Sequence, residues 1–379
     1  MTSATDTSTE AKAEDAPAPP AGRIVSLDSA RGLFLCVNIV AVSVLGETPE
    51  FLEHSKWYGV TFLDIIFPLF VTLSGCGLAF AYRKRVGWRR TFRRSLVLLV
   101  CGLLYTIIVT ESLDLATLRF TGPLQVYAVL VLIIGVLHLK ARTPRAWLVV
   151  TVIVAALQAF FLAAWQAGCP GGELLPTCNP SRLIDFALMS PDHVYASGVR
   201  GHDPEGLVAA MGALVTACVG VTAGHLALAG RGTWRSPLRL ATWAAAVFVL
   251  AVVSSLFLPE MKRLWTTPFA LGVAALGVLL FALGVVVMDM PTSPSRDRLR
   301  RKLAWPLVAL GRNSLLVYFG SHIVLLLLLQ HGGETSWAEQ LARTIDIFGS
   351  PRLSFIVFML GSWVLVTAVL HRRKIYLRP

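Results

Sequence analysis

Ten apolar runs, each close to the length of a membrane span, recur along the chain and are separated by mostly short polar connections. They begin near Leu27, Thr61, Ser95, Gly122, Ala146, Gly206, Leu238, Trp265, Pro306 and Leu353. A bilayer's hydrocarbon core takes about 20 apolar residues of α-helix. The pattern therefore predicts an all-α fold, a polytopic membrane bundle of about ten transmembrane helices over residues 23–379. One connection is long, running from about 165 to 205, and its centre, Leu183 to Met189, has the amphipathic spacing of a short helix lying over the bundle. Residues 1–22 are polar, rich in Ala, Thr and Pro, and lack an apolar core, so they read as a disordered cytoplasmic tail. No internal repeat stands out, and the pattern lends no support to an inverted-repeat transporter.

Composition agrees with this and charge orients it. Of 379 residues, 55% are apolar and 15% charged, with mean hydropathy +0.67, which excludes an ordinary soluble domain. The net charge of +12 is a matter of sidedness, and no nucleic-acid partner is expected. Segments 82–94, 140–145, 231–239, 295–302 and 371–379 hold 22 of the 34 Lys and Arg residues and alternate strictly with loops that hold few. By the positive-inside rule these segments and both termini are cytoplasmic, and an integral membrane protein in contact with lipid follows.

The outward connection 43–61 therefore contains His54, Trp57 and Tyr58. A neutral imidazole suits acyl transfer, as general base or as transient acyl acceptor; the plainer alternative is a headgroup-level loop beside two aromatic anchors. Thr61 and Asp64 match a capping box, a placement that also aims a carboxylate at the outer vestibule. In "HDPEG", 202–206, Asp203 reads as an N-cap with Pro204 at the first helical position, and Asp203 and Glu205 are candidate contacts for a polar or cationic acceptor, with Asp185 earlier in the same loop. Cys169 and Cys178, in the outward loop, are placed for a disulfide in an oxidising compartment. The other four cysteines lie in apolar runs, and no metal site is expected.

Three polar groups interrupt the apolar runs. Asp28 and Arg31 share a face at the cytoplasmic end of the first helix. In the ninth run, "LGRNSLLVYFGSH" places Arg312, Asn313 and His322 where polar groups are costly unless they face a polar interior or one another. The cluster "WRRTFRR" can hold phosphates, although topology and anionic lipid account for it without a ligand. No Walker loop, dinucleotide fingerprint or HExxH occurs.

Taken together, "RIVSLDSARGL" (23–33), "LEHSKWYGVTFLDIIFPLFV" (52–71), "GPLQ" (122–125), "DPEG" (203–206), "MKRLWTTPF" (261–269) and "GRNSLLVYFGSH" (311–322) resemble the membrane-bound acetyltransferases typified by heparan-alpha-glucosaminide N-acetyltransferase, with their bacterial relatives. The most specific element is the His-x-x-Trp-x-Gly-x-Thr-x-x-Asp string combined with Asp-Pro-Glu-Gly. The resemblance implies that cytosolic acetyl-CoA, as co-substrate, gives its acetyl group to an amine, such as that of an amino sugar or glycan, on the far side of the membrane. It implies His54 and Asp64 as catalytic residues; Trp57, Asp203, Glu205 and Asp185 near the acceptor; and Ser43, Asp28, Arg31, Gln125, Arg312, Asn313 and His322 along the acetyl-CoA pathway. Two departures bear on the acceptor: Ser43 stands where the family has an asparagine, and Val126 where it has an arginine.

Two other readings compete. O-acylation of a surface glycan is suggested by "SLDSARGL", which is similar to the start of the acyltransferase-3 family, but no histidine follows near Asn38. A non-enzymatic transporter or flippase of a polar solute would use Arg312, Asn313 and His322, and leaves the His54 string unexplained. The short loops suit a bacterial cytoplasmic membrane. Small residues scattered through the helices permit close packing within a monomer or across a homodimer.

Overall fold

A computed structural model describes residues 24–377; the tail read at 1–22 lies outside the described residues. Among these the chain forms thirteen α-helices and no strand: α1 (Val25–Val42), α2 (Phe62–Tyr82), α3 (Trp88–Thr110), α4 (Pro123–Leu137), α5 (Pro144–Ala167), α6 (Pro180–Met189), α7 (Leu207–Ala229), α8 (Arg235–Ser255), α9 (Thr267–Met288), α10 (Pro294–Arg312), α11 (Ser314–Gln330), α12 (Trp337–Thr344) and α13 (Pro351–Arg372). Eight of them, α1, α2, α3, α5, α7, α8, α9 and α13, are long and apolar enough to cross a membrane, while α4 is apolar but only 15 residues long.

The ninth apolar run departs from expectation. It is no single helix: Asn313 interrupts it, and α10 and α11 meet at 72°. Arg312 thus ends one helix and His322 lies in the next. Hydropathy is continuous through this stretch, so the break is invisible to a pattern of apolar residues. What holds it is the Asn313 side chain, fully buried, donating to Ala309 O (3.3 Å) and accepting from Leu377 N (3.2 Å).

Helices α2 and α7 form the centre, with 72% and 78% of their apolar windows buried, against 17–28% for α3, α5, α8 and α13, whose outer faces meet lipid. Small residues let the central pair approach closely. Gly220 of α7 lies against the backbone carbonyl of Thr72, and Gly75 of α2 against that of Ala217, the close-contact geometry that helix association in lipid relies on. At the cytoplasmic end, Asp289 just after α9 caps α1, accepting from Val25 N (3.1 Å) and from the Ser26 hydroxyl. This satisfies donors that would otherwise be orphaned at the helix start.

The outward connections meet one another on one face. Gly59 N–H donates to Glu260 O (3.0 Å), Arg263 Nε to Ser55 O (2.8 Å), and Arg119 reaches Asp203 and Glu205. The connections placed outside by the Lys and Arg distribution are the ones that assemble into a lid over the bundle. Replacing Gly220 by leucine is expected to cost at least about 3 kcal/mol, because the new Cβ meets backbone that cannot give way. Gly361→Leu, where nothing lies within 4 Å of the added atom, is expected to be near neutral; thermal unfolding in detergent followed by size-exclusion compares the two.

Candidate active site

The site grows out of the start of α2. Thr61 has extended backbone as N-cap, and Asp64 reaches back so that its Oδ2 accepts from Thr61 N, Thr61 Oγ1 and Ser55 N, each at 3.1 Å. The other oxygen, Oδ1, lies 2.6 Å from His54 Nδ1. The Asp64 side chain is fully buried whereas that of His54 is 47% exposed. A carboxylate held by three donors fixes the fourth partner too: Nδ1 carries its proton toward Asp64, and the Nε2 lone pair is left for chemistry. Capping and orienting, separable on paper, are done by the two oxygens of one side chain.

The segment carrying His54 is clamped along its length. Trp57 Nε1 (2.7 Å) and Tyr58 Oη (2.8 Å) both donate to Leu174 O of the long outward loop. Trp57 also meets the His202 ring edge-on at 5.0 Å. Gly59 takes φ +84° to turn the chain toward α2, a conformation costly for a residue with a Cβ. Cys169 and Cys178, in the same loop, are joined by a disulfide.

The acidic residues fall into different roles from those expected. Asp203 is fully buried and does not cap α7; the helix starts at Leu207, with Gly206 as N-cap. Its oxygens are taken by Arg119 (2.6 Å), Thr121 Oγ1 (2.5 Å), Tyr195 N (2.9 Å) and Glu205 N (2.9 Å). The cap comes from Asp185 of α6, also fully buried, which accepts from Leu207 N (2.8 Å) and Ser181 Oγ (2.6 Å). Burial pushes Asp185 up to about 6, against the pull of Ser181 and of the α7 start. Neither carboxylate has an oxygen left over for an acceptor. Glu205 sits between Arg119 (2.7 Å) and Lys262 (3.5 Å). Burial raises its pKa, but Lys262 and Arg119 outweigh it and hold the group down at about 2.

Arg119 and Lys262 were not singled out by the sequence pattern. The available signal was their position, two of the few cations in outward loops, where a basic residue needs a local reason.

Below the lid, polar groups line the bundle interior. Arg31, Ser74, Arg94, Tyr127 and Tyr318 border a cavity of about 110 Å³. It adjoins a second of about 250 Å³ that also takes in Asp28, Arg312 and Leu377. Arg94 belongs to both, and to a third of about 920 Å³ at the cytoplasmic surface that it shares with Arg83, Lys84, Arg85, Arg89, Arg90 and Arg93. Within the "WRRTFRR" cluster, then, one arginine turns inward. Its Nε is buried without a hydrogen-bond partner among the described residues, and Arg31 lies within its electrostatic reach. Toward the outside, His322 Nδ1 donates to Tyr318 O (2.7 Å). Tyr318 lies within electrostatic reach of Glu205, and His322 within reach of His54. Asp28, Arg31 and Arg312 thus line this interior, and His322 lies one turn of α11 beyond Tyr318, outside the cavity walls. Ser43 caps the outer end of α1, Asn313 is spent on the helix break, and Gln125 packs against Gly102 and Gly122 outside the cavity walls. No group of three metal-binding side chains occurs among the described residues.

Fold and site define a polytopic helical membrane protein in which a carboxylate-oriented histidine on one face is backed by an intramembrane cationic cavity opening toward the other. Residues 23–194 match the family model described as heparan-alpha-glucosaminide N-acetyltransferase, catalytic, a stretch that contains His54, Asp64, Arg94 and Arg119. The heparan-alpha-glucosaminide N-acetyltransferases of Homo sapiens and Mus musculus are each 24% identical to the chain across 94% of it, and the chain spans 60% of their length. By the matched stretch and these identities, the chain is similar to the heparan-alpha-glucosaminide N-acetyltransferases.

The charge network gives a pH signature. A carboxylate whose folded pKa is depressed contributes stability that is present above its unfolded value, near 4.5, and is lost as pH falls toward 2. For Glu205 this amounts to about 3 kcal/mol. Glu205→Gln is expected to lower the melting temperature near pH 7 and to remove part of the native protein's loss of stability between pH 5 and 2, Asp64 accounting for a further part, as thermal scans across that range would measure.

Proposed function

We propose that the protein moves an acetyl group from cytosolic acetyl-CoA to an amine on the extracytoplasmic side, an amino sugar being the acceptor class its relatives' names suggest. The observation that carries this reading is the alignment of a half-buried arginine pair, open to the cytoplasm, beneath a histidine on the outer face. Arg94 borders both inner cavities with its Nε unpartnered among the described residues, and a guanidinium donor left so inside a membrane protein is costly. An anionic ligand removes that cost, and the phosphates of acetyl-CoA supply it, with the basic rim from Arg83 to Arg93 drawing the donor in. The acyl end then points up the column formed by Tyr127, Tyr318 and His322 toward His54.

On this reading the acceptor nitrogen attacks the thioester carbonyl while His54 Nε2 removes its proton. The carbon–sulfur bond breaks, the amide is formed, and the CoA thiolate leaves as the thiol, taking the proton from His54 Nε2 and returning the imidazole to its neutral form. In a two-step variant, Nε2 attacks the thioester first and the acetyl-imidazole is then cleaved by the amine. Asp64 stabilises the imidazolium in either route. Trp57 and Tyr58 form the half-open wall against which the acceptor settles. Asp203 and Asp185, fully used in bracing, act only by holding that wall. A bacterial cytoplasmic membrane suits the sidedness.

The test uses purified protein in liposomes with labelled acetyl-CoA and glucosamine. Native protein is expected to transfer label, and His54→Ala, folded by size-exclusion, to lose it. Asp64→Asn is expected to lower kcat by about 10²- to 10⁴-fold with little change in KM, since an amide favours the wrong imidazole tautomer. Arg94→Gln is expected to raise KM for acetyl-CoA instead. Transfer that survives His54→Ala rejects the catalytic assignment. If label is neither transferred nor released across a panel of amine and hydroxyl acceptors, while solute crosses the membrane, the transporter reading replaces this one.

A further inference from the structure

Away from the polar interior, the membrane-facing surface carries a groove of about 630 Å³ where α8 and α9 meet the start of α2. Phe269 and Val273 form its buried floor, and Phe248 and Leu276 its exposed rims. Small residues keep it open: Ala241, Ala244 and Ala245 on α8 face Gly272 and Ala275 on α9. A Cβ added at Gly272 would meet only Ala251, at 3.9 Å. From Pro268 to Leu279 the groove follows α9 for twelve residues, about 16 Å at a rise of 1.5 Å per residue. One leaflet of a hydrocarbon core about 30 Å thick has the same depth.

Its polarity is confined to one end. Glu260, in the outward connection between α8 and α9, is the one ionisable residue in the lining. It is exposed, and its carboxylate has no ion pair or hydrogen bond among the described residues. An apolar slot one leaflet deep with a lone anion at headgroup level complements a lipid whose head ends in a primary ammonium. Phosphatidylglycerol would bring only a second negative charge to the same spot.

We propose that this groove binds an outer-leaflet phosphatidylethanolamine, its acyl chain between α8 and α9 and its ammonium at Glu260. Because Gly59 N–H donates to Glu260 O (3.0 Å), the lipid head braces the segment that carries His54. The proposal stands whether or not acetyl transfer is the activity.

Native mass spectrometry of delipidated protein, titrated in parallel with dioleoyl phosphatidylethanolamine and dioleoyl phosphatidylglycerol, tests it. The native chain is expected to retain the ethanolamine lipid at least about tenfold more strongly, a difference of about 1.4 kcal/mol. Glu260→Gln is expected to bring the two lipids level while keeping chain binding. Gly272→Phe, which fills the slot, is expected to abolish retention of both; Ala245→Phe, at an exposed wall position, is the second blocking variant in case the first misfolds. Equal retention of the two lipids by the native chain, or a preference unchanged in Glu260→Gln, overturns the proposal. So does a dimer whose disulfide cross-link at Leu276→Cys shows a second copy occupying the groove.

Discussion

The two oxygens of Asp64 set the geometry on which the outer face depends. A helix entering a membrane from a loop leaves its first N–H groups without partners, and hydrocarbon offers none. Asp64 answers part of this need by reaching back to Thr61 and Ser55, which pulls the preceding ten residues into a tight arch. The arch brings His54 within 2.6 Å of the remaining oxygen. A buried carboxylate so fully engaged has no freedom to rotate, and the imidazole inherits its rigidity. The catalytic candidate is therefore a by-product of solving a helix-capping problem at the membrane surface.

Rigidity is passed outward through carbonyl groups. Leu174 O takes both Trp57 and Tyr58, Ser55 O takes Arg263, and Glu260 O takes Gly59. The long outward loop thus supports the arch with backbone rather than with its acidic side chains. Those acids support the loop itself: Asp185 on the start of α7, Asp203 on three neighbouring strands of loop, Glu205 on two cations. Polar groups that would be natural contacts for a sugar amine are consumed in making a lid stiff enough to hold aromatic side chains in place.

Much of this was legible in the sequence, and the reasons differ by element. The membrane runs and their orientation follow from two strong constraints, span length and the distribution of Lys and Arg, each of which acts on many residues at once. His54 and Asp64 were legible because their partnership is local, ten residues apart. The break at Asn313 was not, since an asparagine inside an apolar run is compatible with a continuous helix and only the distant Leu377 backbone shows how it is satisfied. Arg94 was hidden by its neighbours: in "WRRTFRR" every arginine contributes equally to topology, and helical phase alone turns one of them inward. The roles of Asp203 and Asp185 were exchanged for a similar reason. "DP" is a strong local signal for a helix start, but Arg119, 84 residues earlier, claims the carboxylate, and the start is moved to where Asp185 supplies the cap.

Charge is balanced differently on the two sides, and that difference constrains what each side recognises. On the outer face Arg119 and Lys262 meet Asp203 and Glu205, so the charges buried in the lid are paired with one another. Inside, Arg31 and Arg94 border one cavity and the cytoplasmic rim adds six further cations. On the proposed acetyl-transfer reading, a donor entering from the cytoplasm is selected by negative charge, whereas an acceptor on the outside is not selected by an ion pair. An amine must in any case be neutral to attack a carbonyl, and a carboxylate at the acceptor position would stabilise the unreactive ammonium form. A half-open aromatic wall beside a free imidazole nitrogen avoids that cost. The consumption of Asp203 and Asp185 in structure is, on this reading, what keeps the acceptor nitrogen reactive.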